Sequence, residues 1–381
     1  MLAILMSPVL LWMRYKHQQA KEKISAQAKD PEAEKKLGRV TERLENLEAL
    51  MCRLDIEINS QLERSLSMGR IVTGSTPGGV SQMPTTFMSV VSALEGRYQV
   101  LKELGRGGMG IVFQAYDKQL KEQVAIKILS PLLSNDAEAL ERLKREVSAA
   151  RRVTHSNVIR IHDIAEVNGL HYVSMEFFGG SNLKEYIKQA GHLSIMEAFN
   201  IASQICDGLQ AAHAQGVIHR DLKSQNIIIS AANQIKIIDF GLAHTQQMQG
   251  LTATGLIMGT PEYMAPEQVS GKKVDERADV YSLGIILYEL FTGRVPFTGQ
   301  SAISVGFQQM KDPPPPPTSV NPQIPLEVEQ VILKALQKDP MHRHRSVAEL
   351  KEDLDKAVRQ PVSSVARQTA SPQVQLERSR E

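Results

Sequence analysis

The run from residue 278 to residue 291, ADVYSLGIILYELF, is apolar nearly all the way round a helical wheel instead of along one stripe. A helix with that pattern has no face to turn to water, so other elements of its own domain must enclose it. With 381 residues the chain is long enough to build such a domain and still carry appendages. The composition, 42% hydrophobic and 23% charged, is that of an ordinary globular protein, and a net charge of +2 does not point to nucleic acid as a partner. Cys52 and Cys206 stand far apart in unlike contexts, which argues against a disulfide framework or a zinc site and for a reducing compartment.

Upstream of this domain the pattern changes. Residues 1–13, MLAILMSPVLLWM, are apolar, and Arg14, Lys16 and His17 follow, with Trp12 and Tyr15 where interfacial aromatics sit. The run is shorter than the roughly 20 residues of a full span. It reads as a membrane anchor whose positive flank keeps the following residues on the cytoplasmic side, tethered to the inner face of the membrane; an interfacial or protein-buried segment and a signal peptide are the alternatives. Within 14–66, Leu37, Val40, Leu44, Leu47, Met51, Leu54 and Ile58 recur in alternating steps of three and four. That heptad seam predicts a coiled-coil helix that pairs with a copy of itself, giving a homodimer through residues 37–58; a single helix lying on its own domain or on lipid is the alternative. Residues 1–66 as a whole resemble the phage-shock protein B family of small membrane proteins in pattern. Residues 67–95, rich in Gly, Ser, Thr and Pro, read as a flexible linker, 96–357 as the folded domain and 358–381 as a disordered tail.

Inside the domain, Tyr98–Leu104, Ile111–Tyr116 and Gln123–Leu129 are β-rich runs expected to form an antiparallel sheet. Ser134 or Asn135 can cap a helix whose Leu140, Leu143, Val147 and Ala150 share a face, and Val158–Glu166 and Leu170–Met175 read as further strands. After Gly180 the pattern is mostly helical. Ser194 with Glu197, and Ser346 with Glu349, form S-x-x-E capping boxes, and Pro313–Pro317 reads as an extended surface loop.

The chemistry lies in GVIHRDLKSQNIIISAANQIKIIDFG, Gly216–Gly241, and in what precedes and follows it. Gly105-Arg106-Gly107-Gly108-Met109-Gly110 is a G-x-G-x-x-G turn. In a dinucleotide-binding unit these glycines would open a helix; here a strand follows, so the turn is a hairpin whose backbone can lie over phosphates. Val124-Ala125-Ile126-Lys127 is a buried-type strand ending in one lysine, which needs a counter-charge; Glu146, Glu141 and Glu138 are the candidates. Asp221 can accept the proton hydrogen bond of an incoming hydroxyl, while Asn226 and Asp239 offer hard oxygens to Mg²⁺. Each residue alone has a bland reading as core histidine, turn former or cap. The order G-x-G-x-x-G, VAIK, HRDLKSQN, DFG and APE removes coincidence.

With those motifs, residues 98 to about 357 resemble the protein kinase superfamily, in the manner of bacterial eukaryotic-like Ser/Thr kinases. The resemblance implies an α+β, bilobal protein kinase fold, with a small β-rich N-lobe carrying one helix and a larger, mainly helical C-lobe, preceded by the α-helical coiled-coil segment. It implies a cytoplasmic enzyme that transfers the γ-phosphoryl group of ATP, with Mg²⁺, to Ser or Thr hydroxyls of protein substrates. Asp221 is then the catalytic base. Lys127 and Glu146 form the activating ion pair, Lys223 neutralises the transferring group, and Asn226 and Asp239 bind metal. Leu104, Gly105, Gly107, Gly108 and Gly110 cover the nucleotide, with Val112 and Ala125 over the adenine, Met175 as gatekeeper, and backbone groups of Glu176 and Phe178 at the adenine edge. Thr260 lines the substrate platform, Glu267 pairs with Arg343, and Thr252 or Thr254 is the autophosphorylation site, facing Arg220. Two other readings compete: a membrane-tethered pseudokinase or scaffold, which a missing Lys127, Asp221 or Asp239 would have favoured, and a small-molecule kinase, which the APE platform disfavours.

Overall fold

The computed structural model describes residues 92–107, 110–129, 137–191, 193–240, 260–299 and 301–359. The anchor of 1–13, the seam of 37–58, the cap at Ser134 or Asn135, Gly108, Gly241 and the threonines Thr245, Thr252 and Thr254 lie outside the described residues. Among the described residues no helix is long and apolar enough to cross a membrane.

The β-rich runs form one antiparallel sheet of strands β1 (Tyr98–Gly107), β2 (Gly110–Asp117), β3 (Glu122–Leu129), β4 (Ile161–Val167) and β5 (Leu170–Glu176), in the order β1-β2-β3-β5-β4. Side chains alternate between the two faces of a strand. Phe113, Ala115, Val124, Ile126 and Ile128 therefore close an outer cluster with Tyr98 and Tyr172, while Ala125, Leu129, Val173 and Met175 face the main core. Helix α1 (Ala137–Ala150) buries Leu140, Leu143, Val147 and Ala150, the face its periodicity predicts. Two boundaries differ from expectation. Leu94, at the end of the expected linker, is 2% exposed in the outer cluster, because its apolar side chain has Tyr98 to pack against. Strand β4 begins at Ile161 and not Val158, because Val158 turns away to bridge Ile237.

The larger lobe is built around helix α5 (Arg277–Thr292), which is buried from Ala278 to Phe291 as its sequence requires. Helices α2 (Leu183–Ala190), α3 (Ile195–His213), α4 (Pro266–Val269), α6 (Ala302–Lys311), α7 (Pro317–Val320), α8 (Leu326–Ala335) and α9 (Val347–Arg359) complete it. Ser194 caps α3 by accepting from the Glu197 amide at 3.2 Å, but the Glu197 carboxylate accepts from the Tyr186 hydroxyl at 2.6 Å. Helix α9 ends at Arg359, past the expected domain end. A small sheet of β6 (Ser181–Asn182), β7 (Ile227–Ile229) and β8 (Ile235–Ile237) carries the chemical motifs on its connections.

Candidate active site

Asp221 sits in the segment between α3 and the three-ten turn Ser224–Asn226. Its Oδ2 accepts from Lys223 Nζ at 2.8 Å and from Asn226 Nδ2 at 3.2 Å. Asn226 Nδ2 also donates to the Asp221 carbonyl at 2.9 Å, so its amide oxygen is the atom left to ligate a cation. With both donors on Oδ2, Oδ1 of Asp221 is the oxygen available to an incoming hydroxyl. Lys223 Nζ reaches on to Thr260 Oγ1 at 3.3 Å, which joins the segment to the one opening at Thr260.

This geometry is fixed from beneath by Asp279, a fully buried carboxylate on α5. It accepts from the amide of His219 at 2.8 Å, the amide of Arg220 at 2.9 Å and His213 Nε2 at 2.7 Å. Burial opposes its ionisation, yet the bond and charge of His213 hold the carboxyl below its ordinary range. His219 is itself enclosed. The Asp221 amide donates to its Nδ1 at 3.3 Å, and its Nε2 faces the Ile238 carbonyl at 3.0 Å, which fits the Nε2–H tautomer. Its ring packs against that of Phe240 in a tilted contact, with centroids 4.6 Å apart. Arg220 and Asp239 both have left-handed backbone, φ 64° in each case, a costly conformation for residues with a Cβ.

On the sheet side, Lys127 shares its strand face with Ala125 and Leu129, and Val112 on β2 packs toward the same core. Lys127 is 4% exposed, and its Nζ pairs with Asp239 Oδ1 at 2.8 Å. Burial works against the Asp239 carboxylate, but the Lys127 charge and hydrogen bond keep its carboxyl below the ordinary range. Gly110, at φ 139°, brings β2 so close to β3 that a Cβ would lie 1.8 Å from the Ile128 carbonyl oxygen. Leu104 is exposed at the mouth of the hairpin, and Met175 is buried at the end of β5. The Glu176 amide donates to the Arg160 carbonyl at 2.9 Å and its carboxylate pairs with Lys236 at 3.0 Å, while Phe178 carries Lys236 Nζ 5.6 Å from its ring centroid. Glu267 meets Arg343 in a buried two-pronged pair, 2.7 Å on each arm, as the sequence predicts.

A protein kinase domain model matches residues 98–354. The chain belongs to the protein kinase family. It is 39% identical over 270 residues to the serine/threonine-protein kinase PrkC of Bacillus subtilis, covering 71% of this chain and 42% of that protein. It is 37% identical over 273 residues to the serine/threonine-protein kinase PknB of Mycobacterium tuberculosis, covering 70% and 44%. The chain thus spans about two fifths of the length of the curated relatives it matches. Among solved structures, the PknI kinase domain of Mycobacterium tuberculosis superposes with a TM-score of 0.57 at 26% identity, covering 68% of this chain and 95% of that one. Bilobal architecture and family therefore agree with the motif order.

Against the family expectation, one pairing must be corrected. Lys127 is on Asp239, not on Glu146; Glu146 instead lies 3.7 Å from Arg220 Nη1. Both anions compete for two cations across the same cleft, and this arrangement brings Asp239 nearest the ammonium. Burial, only partly offset by Arg220, Arg142 and Arg145, pushes the Glu146 carboxyl up to about 7. The structure also brings in residues that motif reading passed over, namely Asp279, His213, and Gln268, whose Nε2 donates to the Arg220 carbonyl at 2.7 Å. A signal for Asp279 was present: an ionisable residue inside a mostly apolar, buried helix must have a buried partner.

Proposed function

We propose that this chain is a serine/threonine protein kinase, transferring the γ-phosphoryl group of ATP to Ser or Thr hydroxyls of proteins. The observation that carries the reading is the meeting of Lys127 and Asp239 at 2.8 Å, 112 positions apart in sequence, beside the Asp221–Lys223–Asn226 cluster. Asp221 Oδ1 accepts the proton hydrogen bond of the acceptor hydroxyl and orients it. The hydroxyl oxygen then bonds to the γ-phosphorus as the bond to the bridging oxygen breaks; ADP leaves, and the hydroxyl proton passes to Asp221. Lys223, between Asp221 and Thr260, neutralises charge on the transferring group. Hairpin residues Leu104, Gly105, Gly107, Gly108 and Gly110 cover the nucleotide. Val112, Ala125 and Met175 bound the base, and Glu176 and Phe178 offer it backbone groups. The HRDLKSQN lysine and the GTPEYMAPE platform support Ser or Thr as acceptor.

Asn226 Oδ1 and the carboxylate of Asp239, held ionised by Lys127, make a small hard-oxygen donor set. Mg²⁺, which keeps water and phosphate oxygens in its shell, suits such a set and would supply charge neutralisation there. Among the described residues no cluster of three or more His, Cys, Asp or Glu offers a rival metal site. For regulation, the reading is trans-autophosphorylation at Thr252 or Thr254. Arg220 Nε is buried with no hydrogen-bond partner among the described residues, which leaves donor capacity for a phosphate. Drawn to that phosphate, Arg220 releases Glu146 to meet Lys127. The anchor of 1–13 would hold the kinase at the inner face of the membrane, and the seam of 37–58 would pair two copies for transfer in trans.

The test is transfer of γ-labelled phosphate from Mg-ATP to dephosphorylated casein and to the chain itself. Asp221→Asn is expected to lower the rate about 10³-fold, the middle of the range for one positioned acid or base group; a rate equal to wild type rejects the mechanism. Mass spectrometry of the active protein is expected to find phosphate on Thr252 or Thr254, and neither modified rejects the regulatory reading.

A further inference from the structure

Between Lys223 and Asn226 the turn is held by a side chain that no step of this mechanism uses. Ser224 is fully buried, and its Oγ lies 2.8 Å from the hydroxyl of Tyr263. Tyr263 in turn is fixed to α5 at both ends: its carbonyl accepts from Ser282 Oγ at 2.8 Å, and its hydroxyl reaches Glu289 Oε2 at 2.6 Å. Glu289 is 1% exposed and is balanced by Lys184 Nζ, 2.5 Å from Oε1 and 3.3 Å from the Tyr263 hydroxyl.

The proton directions in this chain are determined. A carboxylate only accepts, so the single phenolic hydrogen goes to Glu289. The phenol oxygen must then accept from Ser224, and the Ser224 hydroxyl is a donor. Tyr263 is a post bolted to the central helix, and Ser224 hooks the reacting turn onto it. The same segment carries Thr260, which Lys223 touches at 3.3 Å. The hook therefore sets the distance between the turn that bears Asp221 and the platform that presents the acceptor. The nucleotide contacts of Lys127 and the hairpin do not depend on it, since both lie on the sheet, whereas Lys223 and Asn226 lie on the turn itself and move with it.

We infer that Ser224 is a positioning residue, aligning Asp221 and Lys223 with the acceptor-bearing segment through Tyr263. This rests on the kinase reading above. Loss of one buried hydrogen bond corresponds to about tenfold in rate when it is made fully in the transition state.

The experiment compares the wild-type chain with Ser224→Ala, Tyr263→Phe and the double variant, using dephosphorylated casein and Mg-ATP. Ser224→Ala is expected to lower kcat/KM for casein about tenfold while KM for ATP, set by the sheet and hairpin contacts, stays within twofold. The double variant is expected to lose no more than the worse single variant, because both cut the same bond. A purely structural role would lower thermal stability and raise KM for ATP along with the loss of transfer, and that result overturns the inference. So does wild-type casein transfer by Ser224→Ala, or losses that multiply in the double variant. Wild type that transfers nothing to casein or to itself rejects the kinase reading and this inference with it, whereas an active wild type with an unaffected Ser224→Ala rejects the inference alone.

Discussion

The turn bearing Asp221 is pinned to α5 by buried Asp279 through bonds of 2.7 to 2.9 Å, whereas Lys127 and Glu146 of the small lobe rest on charge pairs reaching across the cleft, at 2.8 and 3.7 Å. A carboxylate whose oxygens are taken by two amides and an imidazole has no alternative set of partners. An ammonium facing one carboxylate, with a second on the nearby helix, does. The large lobe thus holds chemistry still, and the small lobe holds charges that can change hands. Both halves contain buried ions, so burial alone does not make a site rigid; the number of directional bonds does.

The sharpest way to break this contrast is Asp279→Ala. It strands His213 and the amides of His219 and Arg220, and should lower stability by about 3–5 kcal/mol, the range for removing one partner of a buried charge pair. Urea denaturation measures it, and a loss under about 1 kcal/mol would erase the difference between the lobes. Lys127→Met should reduce phosphate transfer about 10²- to 10³-fold, as for loss of one preorganised charge. Its stability loss should be smaller than that of Asp279→Ala, because Asp239 is 23% exposed and can turn to water. The next effect is a pH dependence. The Glu146 carboxyl is raised in the folded state from 4.5 to about 7. Its contribution to stability is therefore complete below about 4.5 and is lost as the pH rises through 7. Thermal midpoints should fall more steeply between pH 5 and pH 8 for wild type than for Glu146→Gln, and parallel curves would show that Glu146 is not held against its ionisation. The smallest effect marks the floor: Arg106→Ala breaks an exposed pair with Glu103 and should change stability by less than about 0.5 kcal/mol.

How much of this was legible beforehand follows the range of the interactions. The strands around Phe113, Ile126 and Val173 and the helix face of Leu140, Leu143 and Val147 are local periodicities, and they stand where the pattern puts them. The Glu267–Arg343 pair was readable because a buried pair of this kind belongs to the motif. The partner of Lys127 was not, because Glu146 and Asp239 compete through the relative placement of a helix and a loop, which no spacing along the chain encodes. Ser224 was hidden differently. A serine inside a motif reads as a turn residue, and only the position of Tyr263 shows that its hydroxyl has a destination.

The left-handed backbone at Arg220 and Asp239 bears on laboratory evolution. Each such residue with a Cβ holds of the order of 1–3 kcal/mol of strain that a glycine would release. At Asp239 that gain is smaller than the about 3–5 kcal/mol cost of leaving the buried Lys127 ammonium without its carboxylate, so a library selected only for survival of heating would accumulate glycine at the Arg220 codon alone and return hardier molecules that have lost the cation partner of Glu146. Heat selection and turnover selection pull in opposite directions at Arg220, so a thermostable variant of this protein should be screened with that residue held fixed.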